Sequence, residues 1–337
     1  MNIVIIRQDH LGDLVLTTPL IRALSLAGHQ VTVVARRSSL PVLEGNPHVS
    51  RLVALEDLAP EFPRGILALG SGIRKLRPDL ILVPDAKPTK MLLGVRAGFF
   101  GKIITMRGGA ASRFLLCRSL SSGLPSRLRH YSEVMLDFAR EIGVPADGLK
   151  LEIFLNEQER EAGKAQLQER IGARKVVIVH PGSAGNTCNL PIDIYAELVE
   201  RLLGRSEVGI VLSGIASERE KFRADFSRFE GNPRVWNSMG ELTLRQLCAI
   251  IAQSSALVSV GTGPLHLASA LRVATVSPFC RRRGLCSRVW GNLGAAKSVV
   301  IEPPESICAG REGLGHCNFE STLGADQLLE ALRPFVS

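Results

Sequence analysis

The chain has 337 residues, 45% of them hydrophobic and 5% aromatic, which is enough for two domains with real cores and too apolar for a disordered chain. Lysine and arginine outnumber aspartate and glutamate 41 to 32, and the resulting net charge of +9 favours an anionic partner such as a nucleotide-sugar, a phosphorylated glycolipid or a membrane surface. Nucleic acid ranks low because no basic stretch is interleaved with stacking aromatics, and no apolar run approaches the ~18 residues of a spanning helix.

The first element expected is a strand at Ile3–Ile6, which empties through Arg7-Gln8-Asp9-His10-Leu11 into the turn Gly12-Asp13. A helical pattern follows from Leu14 to Leu24, with apolar residues at Leu16, Leu20, Ala23 and Leu24. Arg7 and Asp9 break the apolar stretch too early for a signal peptide, so the chain is expected in the cytoplasm. Further strands are predicted at Val31–Val34, Leu52–Leu55, Leu80–Val83 and Lys102–Thr105, with Asn46-Pro47 as a turn signal before the third. A helix over Arg129–Ile142 stops at Gly143-Val144-Pro145, and a polar, charged helix between Leu151 and Arg174 leads into the second half.

There the alternation restarts. Strands are expected at Val176–Val179, Gly209–Leu212, Leu257–Val260 and Val273–Val276, and helices near Ile192–Leu203, Ser217–Phe226, Leu244–Gln253 and Pro264–Leu271. An amphipathic helix, Ala325–Leu332, is the last and is available to pack back on the first domain. Two successive β-α-β alternations imply an α/β protein of two doubly wound, Rossmann-like domains, 1–155 and 156–337, facing across a cleft.

Four loops could carry chemistry, each after a predicted strand. Asp13 is either a general base for an acceptor hydroxyl or a carboxylate favouring the helix dipole, worth only about 0.3–1 kcal/mol. His180-Pro181-Gly182-Ser183-Ala184-Gly185-Asn186 can cradle phosphate oxygens on its backbone N–H groups, or is an ordinary glycine-rich turn. In Gly261-Thr262-Gly263-Pro264-Leu265-His266, Thr262 can cap a helix and Pro264 suits its first turn, leaving N–H groups for an anion. His266 stands in that first turn, as either a ligand contact or a packed residue. Glu218, after Gly214-Ile215-Ala216-Ser217, reads as a ribose contact or an exposed helix-start carboxylate. No GxGxxG fingerprint or Walker lysine loop is present, which disfavours dehydrogenase and P-loop readings.

The seven cysteines are irregularly spaced and suit free thiols in a reducing compartment. Cys280/Cys286 and Cys308/Cys317 with His316 are the nearest approach to a metal cluster, but none has the two-residue gap of a zinc knuckle, and no metal or cofactor is expected.

With these residues assembled, the chain resembles glycosyltransferase family 9, the ADP-heptose:lipopolysaccharide heptosyltransferases. The matching motifs are Arg7-x-Asp9-x-x-Gly12-Asp13-x-Val15-x-Thr17-Thr18-Pro19, Asn46-Pro47-x-Val49, His180-Pro181-Gly182-Ser183, Asn189-x-Pro191 with Tyr195-Ala196-Glu197-Leu198, Gly214-x-x-x-Glu218, and Thr262-Gly263-Pro264-Leu265-His266-Leu267-Ala268. The resemblance implies a GT-B fold, with the acceptor on the N-terminal domain and the nucleotide-sugar on the C-terminal one. It also implies inverting, metal-independent transfer of heptose from ADP-heptose to an anionic glycolipid acceptor at the inner membrane face. Asp13 would be the base. Gly12, Ser183, Glu218, Thr262, Gly263, Pro264 and His266 would serve the donor.

Two positions depart from the family pattern. Cys188 stands where a Lys or Arg usually precedes Asn-x-Pro, which removes a charged hydrogen bond worth about 1.5–3 kcal/mol. A compensating cation within Arg281-Arg282-Arg283, an altered donor or loss of activity would each answer it. Gly261 replaces the Asp that many members carry before Thr-Gly. In the first domain Arg36, Arg37, Lys87, Lys90, Arg96 and Arg107 could form a basic face for the acceptor, or be ordinary surface charges. The rivals are a non-catalytic nucleotide-binding protein of the same fold and, further off, a Rossmann oxidoreductase.

Overall fold

The computed structural model describes all residues except 61–65, 86–88, 97, 107–113, 121–128, 147, 173, 184, 186, 283, 294–296 and 305–322, and only the backbone of 66, 67, 89 and 90. The chain divides into two compact units, Met1–Phe154 and Leu155–Ser337.

The first unit is a six-stranded parallel sheet formed by β1 (Asn2–Arg7), β2 (Gln30–Ala35), β3 (Arg51–Ala54), β4 (Leu80–Val83), β5 (Lys102–Thr105) and β6 (Arg118–Ser119). Their order is β3-β2-β1-β4-β5-β6, with Ile5 opposite Val33 on one side and Leu82 on the other. Ile3 to Ile6 are buried on both faces, as a central parallel strand requires, which is why they read as an unbroken apolar run.

The second unit repeats the plan with β7 (Lys175–Val179), β8 (Val208–Leu212), β9 (Val235–Asn237), β10 (Ala256–Val258), β11 (Ala274–Pro278) and β12 (Ser298–Ile301). Its order is β12-β11-β10-β7-β8-β9, again all parallel. Counted from its own first strand, this is the 3-2-1-4-5-6 order of the first unit. Each sheet therefore has a switch point, β1/β4 in one and β7/β10 in the other, where the chain leaves in opposite directions, the place at which open α/β sheets generally take ligands.

The helix expected over Leu14–Leu24 is two helices, α1 (Leu11–Val15) and α2 (Thr18–Leu26). Thr17 and Thr18 turn their hydroxyls onto the carbonyls of Asp13 and Val15, and Pro19, which has no N–H, sits in the first turn of α2. Around the first sheet follow α3 (Leu55–Leu58), α4 (Ile66–Lys75), α5 (Thr89–Arg96) and α6 (Tyr131–Arg140).

The charged helix is α7 (Glu157–Ile171), in the second unit. Its apolar stripe is narrow, Leu167 and Ile171 with Gly163, and other contacts help to hold it. Asn156 and Glu159 form a reciprocal capping box, and Arg245 donates two hydrogen bonds to Glu159, at 2.7 and 2.5 Å. Gly163 lets its backbone approach Ala249, where a β-carbon would sit 2.8 Å from the Ala249 carbonyl carbon.

The remaining helices are α8 (Ile192–Leu203), α9 (Ala216–Lys221), α10 (Arg223–Phe226), α11 (Leu244–Ala252), α12 (Gly263–Ala270), α13 (Ser287–Trp290) and α14 (Ala325–Val336). The helix expected over Ser217–Phe226 breaks at Phe222, and the break lets Phe222, Phe226 and Phe229 all turn into the core. Leu328, Leu332 and Val336 of α14 pack with Leu198, Val199 and Leu202 of α8. Among the described residues no helix is long and apolar enough to cross a membrane.

Candidate functional site

In the first unit the site is built around a buried charge. Arg7 is the last residue of β1, and its guanidinium lies wholly inside the protein. Nη1 donates to the Pro84 carbonyl beyond β4 and, at 3.1 Å, to the Tyr131 hydroxyl at the start of α6. Nη2 stands 3.2 Å from Asp9 Oδ2 and 3.2 Å from Asp13 Oδ1, aimed in line at neither, so both contacts are Coulombic rather than directed hydrogen bonds. Burial opposes the charge on Arg7, but Tyr131, Asp13 and Asp9 more than offset it and raise its pKa. Burial likewise pushes the Tyr131 hydroxyl up to about 12.

The Asp13 side chain remains 16% exposed. It lies within the first turn of α1, not in a turn ahead of it, because the extended His10 opens the helix one residue before Gly12. The result is a carboxylate at the β1/β4 switch point, oriented by a guanidinium that cannot leave. Asp9 is different: burial drives its carboxyl up to about 6, Arg7 pulls it down, and Asp85 and Asp13 push it up again. Gln8 donates to Asp85, which follows β4.

Of the proposed acceptor cations, Arg36 donates to the Gln8 carbonyl at 2.6 Å and Arg37 pairs with Asp57. Arg96 is structural, its guanidinium donating to the carbonyls of Phe99, Gly101 and Leu116. Lys87, Arg107 and the side chain of Lys90 lie outside the described residues.

In the second unit the loop after β7 meets the loop after β8. Glu218 accepts a hydrogen bond from the Ile215 N–H at 2.9 Å, and its carboxylate lies over the bare backbone of Gly182, where a β-carbon would collide with both oxygens. His180 is buried below, with Nδ1 3.1 Å from Ser213 Oγ. Desolvation lowers its pKa against the opposing pull of Glu218, so the imidazole is neutral at pH 7.

The same loop is pinned from the other side. Asn189 donates from Nδ2 to the Pro181 carbonyl at 2.7 Å, while its Oδ1 accepts from the fully buried Tyr195 hydroxyl at 2.9 Å and from the Leu190 N–H. This gives the Asn189-x-Pro191…Tyr195 motif a physical role, as a brace from α8 to the glycine-rich loop. Ser183 stands half-buried at the loop's rim, and Cys188 packs against the core.

The third loop follows β10, on the strand beside β7. Thr262 takes the N-cap position of α12, but its hydroxyl bonds Ser259 Oγ at 2.7 Å instead of capping, and Pro264 occupies the first turn. First-turn N–H groups thus face the carboxyl edge, where an anion is favoured. His266, only 2% exposed, is packed inside the unit.

Gly261 has a local cause. A β-carbon there would stand 2.9 Å from the Phe279 ring in the loop after β11, so no side chain fits while that phenylalanine is in place. Of the basic run beyond Phe279, Arg281 donates to the Pro303 carbonyl and lies 3.8 Å from Glu302. Arg282 is half-buried, and Arg283 falls outside the described residues. Cys308, His316 and Cys317 do as well; among the described residues no cluster could hold a metal.

Gly12 and Asp13 thus belong to the first unit, and Ser183, Glu218, Thr262, Gly263, Pro264 and His266 to the carboxyl edge of the second. The reading of the sequence missed the roles of Arg7, Asp9, Tyr131, His180 and Phe279.

The family model for glycosyltransferase family 9 (heptosyltransferase) matches residues 96–299. Lipooligosaccharide heptosyltransferase 2 of Haemophilus influenzae is 25% identical over 288 residues, 80% of this chain and 81% of that protein. A second Haemophilus influenzae protein is 29% identical over 150 residues, so the match spans less than half of either chain, 43% and 42%. Among solved structures, the ADP-heptose lipopolysaccharide heptosyltransferase II of E. coli superposes with a TM-score of 0.80 at 21% identity, covering 100% of this chain and 98% of that one. An E. coli heptosyltransferase solved with ADP gives 0.70 at 18% identity over 99% of both. Two Rossmann-like units with ligand loops at both switch points, together with a family match over more than half the chain, lead to one conclusion: the chain is a GT-B glycosyltransferase belonging to glycosyltransferase family 9.

Proposed function

We propose that this enzyme transfers heptose from ADP-heptose to a hydroxyl of an inner-core lipopolysaccharide acceptor, with the first unit taking the acceptor and the second the donor. The observation that carries the reading is the partly exposed Asp13 carboxylate held 3.2 Å from the buried Arg7 guanidinium at the β1/β4 switch point. The acceptor oxygen attacks the anomeric carbon as its proton passes to Asp13. The bond to the diphosphate breaks with its electron pair, and ADP leaves with the anomeric configuration inverted. The first-turn N–H groups of α12 and the Gly182–Ser183 loop stabilise the charge growing on the diphosphate, and Glu218 receives the ribose. Thr262, Gly263 and Pro264 shape that donor site, with His266 packed beneath them, while Gly12 lies beside Asp13 in the first unit. The net charge of +9 supports a reading in which the enzyme meets its lipid-anchored acceptor at an anionic membrane face.

Calorimetry with ADP, UDP and GDP, followed by transfer assays with the preferred nucleotide-sugar, tests the reading. ADP preference and transfer that is lost in Asp13→Ala with donor affinity retained are expected; full activity in that variant overturns the role of Asp13. Cys188, packed against the core without supplying a charge, favours a second reading in which the nucleotide site binds but does not turn over. Nucleotide binding without sugar transfer would select it.

A further inference from the structure

Asp9 is the group around Arg7 that base catalysis by Asp13 leaves unexplained. A single nitrogen, Nη2, serves both carboxylates at the same 3.2 Å, and the guanidinium cannot turn to favour either because Nη1 is tied to the Pro84 carbonyl and to Tyr131. The two carboxylates thus repel one another across a fixed cation, and a change of charge on either is felt by the other.

Resting on the assignment of Asp13 as base, we propose that Asp9 is a positioning residue for Asp13: its charge, held across Arg7 Nη2, sets how readily Asp13 accepts the acceptor proton. With Asp9 ionised, Asp13 feels a second negative charge across the same nitrogen, which makes it a better proton acceptor. With Asp9 protonated, that charge is gone and the base is weakened.

The charged and titratable groups facing Asp9 come from every element around it: Arg7 on β1, His10 and Asp13 at α1, Asp85 beyond β4 and Tyr131 on α6. Arg36 bonds the neighbouring Gln8 carbonyl from beyond β2. Because the Asp9 carboxyl is pushed up to about 6, its change of charge falls within the working range of an enzyme, and the acid limb of the rate follows it.

Coupling between two sites is reciprocal, so it can be read on Asp9 without any turnover. The test is carbon-13 NMR of the full chain labelled at aspartate carboxyl carbons, with the Asp9 signal assigned as the one absent from Asp9→Asn. In Asp13→Asn its midpoint is expected to fall by roughly 0.5–1 pH unit, because a like charge across Arg7 is gone. In a parallel transfer assay, Asp9→Asn is expected to flatten the acid limb near pH 6 and to lower kcat at pH 7.5 roughly three- to tenfold with KM little changed.

Asp9→Ser, which also lacks the charge, repeats the assay should the asparagine variant fold poorly. An Asp9 midpoint that does not move in Asp13→Asn, or an acid limb unchanged in both Asp9 variants, overturns the proposal. Transfer that survives Asp13→Asn overturns the assignment of the base instead, and leaves the measured coupling to stand or fall by itself.

Discussion

The Glu218 carboxylate occupies the space that a side chain on residue 182 would need, so Gly182 and Glu218 form a matched pair. Gly182→Ala must push Glu218 off the Ile215 N–H, which costs about 1 kcal/mol and moves the carboxylate away from its ligand position. Nucleotide affinity in Gly182→Ala is therefore expected to fall to the level of Glu218→Ala, roughly tenfold below the parent, and the double variant to bind no worse than either. Isothermal titration of the four proteins with ADP checks this; losses that add would show that Gly182 serves the ligand independently of Glu218.

The brace from α8 should matter in proportion to what is left unpaired. Tyr195→Phe removes one donor and is expected to cost about 0.5–1.5 kcal/mol of stability. Asn189→Ala strands the Tyr195 hydroxyl, the Pro181 carbonyl and the Leu190 N–H together, and is expected to cost about 2–3 kcal/mol and to weaken nucleotide binding as well. Urea unfolding and calorimetry on both variants distinguish the two expectations.

His180 makes the structure acid-sensitive. Burial lowers its pKa in the folded state, so the unfolded chain takes up the proton more readily; the stability contributed by the neutral ring is complete above about pH 6.5 and is lost as the pH falls below that value. His180→Asn keeps a polar atom for Ser213 and cannot titrate. Its melting temperature is expected to drop less than the parent's between pH 7 and pH 5, which scanning calorimetry reads directly.

Asp9 has the opposite sign. Its carboxyl is pushed up to about 6 from 3.8, so folding favours its protonated form and its charge destabilises the fold progressively as the pH rises through that interval. Asp9→Asn is expected to stabilise the protein at pH 7.5 by up to about 3 kcal/mol, and to leave it unchanged below pH 4. A variant that melts higher while transferring more slowly would mark Asp9 as a site where stability is given up for function.

Much of this arrangement is legible in the sequence because parallel sheets write themselves plainly. Strands such as Leu80–Val83 and Lys102–Thr105 are buried runs between helical patterns, and the observed bounds match the expected ones. Two edge strands are not legible: Arg118–Ser119 and Val235–Asn237 are two and three residues long, and a neighbouring strand, not their own composition, makes them strands. The break between α1 and α2 depends on two threonine hydroxyls, which helical periodicity does not register.

At the site, Gly12-Asp13 and the glycine-rich loops stand out because each directly follows a strand. Arg7 does not, since a cation ending an apolar run reads as an interruption until its partners are known. One of them, Tyr131, is 124 residues away along the chain. His180, Phe279 and Asp9 likewise draw their meaning from neighbours that only the fold supplies.

The repeated strand order has an evolutionary consequence. Because each sheet carries its own switch point with its own loops, substitutions in the loops of one sheet leave the residues supporting the other in place. The brace of Asn189 and Tyr195 and the clamp of Arg7 belong to separate cores, so neither depends on the packing of the other. Cys188 and the Gly261–Phe279 contact, both departures from the family pattern, fall in the second core alone. A lineage can therefore change the loops of the second unit while the Asp13 carboxylate and its buried Arg7 partner in the first stay as they are.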